Sequence, residues 1–125
     1  PRYTTISPQY YDLVVKGMRG AVVGTAYGAT CRGANLPDIE VCGKTGTAQN
    51  KGKDHSIFMG FAPMNKPKIA IAVYVENAGF GATWAVPIAS VFMEKYLKGT
   101  LSPERMTPVD EISNTNLIQY GFKEY

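Results

Sequence analysis

Apolar and polar positions recur with two different periods along this chain. Between residues 7 and 23, Tyr11, Val14, Val15, Met18 and Val22 return every three or four residues, the spacing of one face of an α-helix. Ser7 can cap that helix, and Pro8 suits its first position, where a backbone N–H has no helical partner. Gly17 and Gly20 either weaken the helix interior or admit another element at close range. Gly24, Gly28, Gly33 and Pro37 then predict a loop over 24–38.

The period next shortens to two. Residues 39–49, 55–62 and 68–76 read as strands, separated by the polar turn Asn50-Lys51-Gly52-Lys53-Asp54 and by a short connection from Pro63 to Pro67. In the third strand Ile69, Ile71, Val73 and Val75 share one face, while Ala70, Ala72 and Tyr74 share the other. Both faces are apolar, which predicts cover on both sides. Gly79-Phe80-Gly81 ends this pattern. A second helix is expected over 83–98, with Trp84, Ile88, Val91, Phe92, Met93 and Tyr96 as its apolar face, Pro87 near its first turn and Gly99 at its end. Residues 100–125 are polar and carry Pro103 and Pro108, so a loosely ordered tail is expected, with at most a short turn near Leu117-Ile118. The fold class that results is α+β, a three-stranded antiparallel sheet with helices on its faces.

Bulk properties narrow this further. With 125 residues the chain forms at most one domain with a modest core. The net charge is 13 − 10 = +3, and lysines and aromatics are dispersed, which argues against a nucleic-acid partner. No apolar run is long enough to cross a bilayer, and no signal peptide opens the chain. Cys31 and Cys42 are the only cysteines and the lone His55 is distant from both, so no metal site is expected. A disulfide between the two stays open, with two free, partly buried thiols favoured.

The segment with chemical content is Val41-Cys42-Gly43-Lys44-Thr45-Gly46-Thr47-Ala48. Gly43-Lys44-Thr45 superficially matches a phosphate-binding loop, but that loop needs a glycine five residues before Gly43, where Asp38 stands. Read as a plain strand, Lys44 is solvated and the threonines are β-formers. Alternation puts Lys44 and Gly46 on one face and Thr45 and Thr47 on the other, so a twist or bulge is needed before all four serve one cleft. His55, beside a charged turn, reads as an exposed histidine rather than a general base. Trp84 reads as core and Cys42 as a buried thiol without an activating partner. Arg19 and Arg32 are weak evidence for an anionic ligand, and Phe80 fits either a groove or a loop.

Lys44-Thr45-Gly46, followed by His55-Ser56-Ile57-Phe58-Met59-Gly60-Phe61-Ala62-Pro63, resembles consecutive strands of the transpeptidase domain of class B penicillin-binding proteins. Gly17 to Val23 with Gly24-Thr25-Ala26 resembles the helix and loop before them. Lys68 to Glu76, Gly79-Phe80-Gly81 and the helix with Pro87 resemble the following strand and final helix of the elongation-type, penicillin-binding protein 2-like subgroup, which builds the side wall of rod-shaped bacteria. The resemblance runs from about Tyr11 to Leu97. It implies a partial serine β-lactamase/transpeptidase fold and a peptidoglycan D,D-transpeptidase without metal or organic cofactor. Its substrate would be a stem peptide ending in D-Ala-D-Ala, and β-lactam antibiotics would acylate it. Lys44 would then hydrogen-bond the serine of a Ser-x-Asn motif and support proton transfer. The Thr45 and Thr47 hydroxyls would bind the terminal carboxylate, and the Thr47 backbone N–H would form half of the oxyanion hole. Gly46 would keep the strand surface open so that the substrate backbone lies along it as an added strand.

The same family needs a Ser-x-x-Lys nucleophile and a Ser-x-Asn motif upstream, and Ser7, Ser56, Ser90, Ser102 and Ser113 start neither pattern. The chain is therefore expected to be the C-terminal part of such a domain, inactive alone and completed by an N-terminal part of the same protein. That part would also anchor it at the periplasmic face of the inner membrane, in the bacterial cell envelope. In the family the strand at 68–76 pairs with an N-terminal strand, so its edge is expected to mediate self-association here. A D,D-carboxypeptidase or β-lactam sensor domain is a further reading, opposed by the class B-like segment after the triplet. A non-catalytic wall-binding or interaction module is the alternative outside enzymes.

Overall fold

In the computed structural model, which describes residues 1–118, the main elements are α1 (Pro8–Val23), β1 (Cys42–Ala48), β2 (His55–Ala62), β3 (Ile69–Val75), α2 (Ala85–Lys98) and α3 (Met106–Asn114). The strands form one antiparallel sheet in the order β1-β2-β3, the α+β architecture that the periodicity predicts. Residues 119–125 lie outside the described part.

Cross-strand partners define the two faces of the sheet, since residues directly opposite one another point the same way. Phe58 stands opposite Thr45 and Val73, and Gly60 opposite Gly43 and Ile71. This inner face carries the core, where Phe58, Ala62, Val22, Leu36, Val41, Val86, Ala89 and Met93 pack together. The Phe58 ring lies flat across the Gly43–Gly60 pair, and a Cβ on Gly43 would stand 2.4 Å from Phe58 Cζ. Glycine at both positions is what lets a large ring lie directly on the sheet.

The outer face is different. Tyr74 and Met59 are 54% and 55% exposed, and Ala70 and Ala72 are exposed as well. Among the described residues the cover expected on both sides of β3 is present on one side only, from α2. Met18 of α1 reaches over the outer face and, with Met59, Phe61, Ala70 and Ala72, lines a shallow apolar groove of about 350 Å³.

Both α1 and α2 depart from their sequence reading. Ser7 occupies the N-cap position of α1, with Pro8 following, yet its side chain makes no capping hydrogen bond. Only the C-terminal turn of α1 is buried, through Ala21 and Val22, while Val14 of the expected apolar face is 60% exposed. In α2 the buried face is Ala85, Val86, Ala89, Ser90, Met93 and Glu94, whereas Phe92 and Tyr96 point outward. The helix is apolar nearly all round, so period alone does not select a face. Small residues do select one, because they let the helix approach the sheet closely. Gly99 ends α2 in the left-handed region at φ 77°, as expected.

Residues 100–125, expected as a loosely ordered tail, carry a 3-10 turn (Pro103–Arg105) and the helix α3 among the described residues. Leu117 and Ile118 lie beyond that helix without regular structure, with Asn116 Oδ1 accepting the Ile118 N–H. A buried carboxylate ties this segment down. Glu94 is fully buried, and its Oε2 accepts the Ser102 N–H at 3.1 Å and the Ser102 hydroxyl at 3.0 Å. Lys98 Nζ lies 3.5 Å from Oε1 and Arg105 Nε 3.8 Å from Oε2. Burial pushes this carboxyl up, but the Ser102 bonds, Lys98 and Arg105 outweigh it and hold Glu94 below the usual carboxylate range. Arg105 also donates to the carbonyls of Gly33, at 3.0 Å, and Asn35, which locks the loop ahead of β1 onto the C-terminal segment.

Candidate active site

β1 is an edge strand, so one side of its backbone is free of sheet partners among the described residues. Lys44 and Gly46 stand opposite Met59 and Ile57 on the outer face, and Thr45 and Thr47 stand opposite Phe58 and Ser56 on the inner face. The register runs without interruption from Cys42 to Ala48, so no bulge brings the four residues onto one face. What they share is the strand edge. Lys44 and Thr47 are exposed there, and Thr45 and Gly46 are half-buried.

Lys44 Nζ donates to the Thr45 carbonyl at 2.9 Å and makes no ion pair among the described residues. Its ammonium is left to act on whatever occupies the neighbouring space. Gly46 differs from Gly43. A Cβ on it would sit 3.4 Å from Ile57 Cβ, an ordinary contact, so packing within this chain does not require glycine there.

Two loops converge on Thr45. The loop before β1 brings Thr30, whose hydroxyl oxygen lies 2.5 Å from that of Thr45. The loop between β3 and α2 lays Gly81 on the strand pair, where a Cβ would meet the Ile57 carbonyl oxygen at 2.4 Å, that of Gly46 at 2.8 Å and Thr45 Cβ at 3.0 Å. Phe80, next in the chain, is 71% exposed at this position. Ser56, fully buried opposite Thr47, fixes the loop: its hydroxyl donates to the Phe80 carbonyl at 2.9 Å and accepts the Ala85 N–H at 3.1 Å. Ser56 thereby serves the first N–H of α2, which Trp84 at the N-cap position leaves without a side-chain partner.

Sequence reading alone misses Thr30, Ser56 and Gly81. Thr30 lies in a glycine-punctuated loop whose path periodicity does not reveal. Ser56 looks like an ordinary strand residue. For Gly81 the glycine pair around Phe80 was a usable signal, since glycine flanked by an apolar strand and a helix often marks close backbone approach.

Other candidates fall away from the site. His55 is half-buried rather than exposed: Nδ1 accepts the Asn77 N–H at 3.0 Å, and the ring packs on Tyr74 at 5.2 Å between centroids. Cys31 and Cys42 are free and buried. Burial pushes the Cys42 thiol up, Arg19 opposes and Glu40 adds to the rise, so near neutral pH it is a thiol and not a nucleophilic thiolate. Arg19 donates to the Val41 carbonyl at 2.9 Å, and Arg32 closes its own loop through the carbonyls of Gly24 and Ala26 at 3.0 and 2.8 Å. Both arginines serve backbone. No group of three metal-ligating side chains occurs among the described residues, and no helix there is long and apolar enough to cross a membrane.

The family profile "Penicillin binding protein transpeptidase domain" matches residues 1–94. The chain is 37% identical over 122 residues to peptidoglycan D,D-transpeptidase MrdA of Acinetobacter baumannii, covering 85% of this chain and 18% of that protein. Among solved structures it is similar to penicillin-binding protein 2 of Pseudomonas aeruginosa in complex with WCK 5153. There the TM-score is 0.63 and identity 38%, over 83% of this chain and 23% of that one. It is also similar to penicillin-binding protein A of Mycobacterium tuberculosis in its ceftriaxone acyl-enzyme complex, with TM-score 0.63 and identity 29%, over 74% of this chain and 22% of that one. The chain spans about a fifth of the length of the relatives it matches.

Proposed function

The chain belongs to the penicillin-binding protein transpeptidase family, and from that premise we propose that it forms part of a serine D,D-transpeptidase that cross-links peptidoglycan stem peptides and is acylated by β-lactams. The observation that carries this reading is the edge strand β1: Lys44 and Thr47 stand exposed on it, and Gly46 leaves open a surface that packing does not require to be open. Relatives named as D,D-transpeptidases and a neighbour solved as a β-lactam acyl-enzyme support it.

In this reading the substrate backbone lies along the free edge of β1 as an added strand. A serine oxygen from outside these 125 residues attacks the carbonyl of the penultimate D-alanine. The carbonyl oxygen takes the negative charge against the Thr47 N–H, and the Thr45 and Thr47 hydroxyls donate to the terminal carboxylate. The C–N bond breaks, the departing D-alanine amine takes up a proton, and an ester to the serine remains. An amine of a neighbouring stem peptide attacks that ester and regenerates the serine hydroxyl. Lys44, which pairs with no carboxylate among the described residues, supports these proton transfers electrostatically. No metal or organic cofactor enters. The rest of the protein holds the domain at the periplasmic face of the inner membrane, and it covers the outer face and free edge of β3. Alone, the chain is inactive and associates with itself through that edge.

The test is a donor–acceptor assay on the full-length protein, with a stem peptide ending in D-Ala-D-Ala and a second stem peptide carrying the acceptor amine. Cross-linked product with release of D-alanine is expected. Release of D-alanine by hydrolysis alone would reassign the protein as a carboxypeptidase, and no release would leave a non-catalytic module.

A further inference from the structure

We propose that Thr30 is a positioning residue for Thr45: its hydroxyl sets the direction in which Thr45 offers its own proton to the carboxylate of a bound peptide or β-lactam. This rests on the transpeptidase reading above and adds to it a residue from outside the Lys-Thr-Gly strand.

Both residues sit on anchored backbone, although the Thr30 side chain itself is exposed. Thr30 lies between Ala29 and Cys31, which are 7% and 0% exposed. The Cys31 N–H donates to the Ala21 carbonyl of α1 at 2.9 Å. Arg32 and Arg105 bind carbonyls of the same loop on either side, at Gly24 and Ala26 and at Gly33 and Asn35. Thr45 is held by its pairing with Phe58 and by Gly81 lying close to its Cβ. Two anchored backbones thus bring two hydroxyl oxygens to 2.5 Å across fifteen residues of chain.

Proton accounting gives the pair its direction. A threonine hydroxyl has one proton and two lone pairs, and a carboxylate only accepts. Once a carboxylate stands at Thr45, the Thr45 proton must go to it. The Thr45 oxygen can then only accept from its neighbour, which makes Thr30 the donor. The order becomes Thr30 O–H to Thr45 Oγ1, then Thr45 O–H to carboxylate. Each bond in such a chain polarises the next, and the last ends on a charge, where a hydrogen bond is strongest. Without the Thr30 hydroxyl, Thr45 keeps its proton but loses the partner that fixes its direction, and water competes for it.

The test uses the full-length protein with Thr30→Val, Thr30→Ser and Thr45→Val. The rate constant for acylation is measured with a penicillin and with the methyl ester of the same penicillin. Thr30→Val keeps the shape and removes the hydroxyl, so acylation by the free acid should fall about five- to tenfold, the weight of one hydrogen bond between neutral groups. Thr30→Ser should recover most of that loss. The ester, which presents no carboxylate, should show little difference between wild type and Thr30→Val, and adding Thr30→Val to Thr45→Val should cost nothing more. Equal losses on acid and ester would mean a merely structural role and overturn the proposal, as would no loss on the acid. Failure of the wild type to be acylated by either compound would instead overturn the transpeptidase reading itself.

Discussion

Gly81 lies so close to Gly46 that a Cβ on it would stand 2.8 Å from the Gly46 carbonyl oxygen. Through this contact the loop that carries exposed Phe80 is seated directly on the strand pair beside the Lys44 triplet. Gly81→Ala must lift that loop, because the opposing atoms are backbone and cannot rotate away. A loss of about 1–3 kcal/mol is expected, the usual cost of overpacking. Denaturant unfolding measures it, with faster hydrogen exchange at residues 79–82 as the local signature.

Gly43 and Gly46 lie three residues apart on one strand and should respond oppositely to alanine. Gly43→Ala drives a Cβ to 2.4 Å from the Phe58 ring and should destabilise by about 1–3 kcal/mol. At Gly46 the new Cβ meets Ile57 at an ordinary 3.4 Å. Gly46→Ala should leave stability unchanged or raise it by about 0.5 kcal/mol, since alanine gives up less backbone freedom than glycine in a strand. Its cost should appear in β-lactam acylation instead. Unfolding midpoints and acylation rates of the two variants, taken together, separate packing from substrate contact.

Ser56 is fully buried and bonds both the Phe80 carbonyl and the Ala85 N–H. Ser56→Ala leaves two backbone groups without that partner and should cost about 1–3 kcal/mol. Exchange of the Ala85 and Val86 amides should rise more than that of the central turns of α2, because the loss falls on the start of the helix.

Glu94 predicts acid sensitivity of a definite sign. Its carboxyl is held below its ordinary 4.5 in the fold, so its interactions stabilise the folded state above that value. The contribution is lost as pH falls from the ordinary glutamate range through the lowered folded value. Glu94→Gln should therefore lower stability at neutral pH and flatten the acid limb of the stability–pH curve. Urea midpoints across acid and neutral pH read both effects. An acid limb as steep in the variant as in the wild type would assign the sensitivity to other carboxylates.

Much of this architecture was legible from period and punctuation. The second strand begins and ends at His55 and Ala62 as read, and α1, β1, β3 and α2 lie within about three residues of their expected ends. The failures have physical causes. Pro103 and Pro108 read as helix breakers, yet each lies in the first turn of its element, where no intrahelical N–H donor is needed. The buried face of α2 was misread because Phe92 and Tyr96 outrank Ala85 and Ala89 in hydrophobicity, while close packing on a sheet favours the small pair. The Lys44 triplet stands out in sequence as a motif. The contacts of Thr30 and Gly81 with Thr45 are long-range and arise only when two loops fold onto one strand.

Labelling with a fluorescent penicillin, followed by mapping of the modified residue, shows where the nucleophile of this protein lies. It is applied to the full-length protein and to residues 1–125 alone. A covalent adduct is expected on a serine outside these residues in the full-length protein, and none on the isolated chain. An adduct on a residue within the chain, or no adduct on either protein, would contradict this expectation.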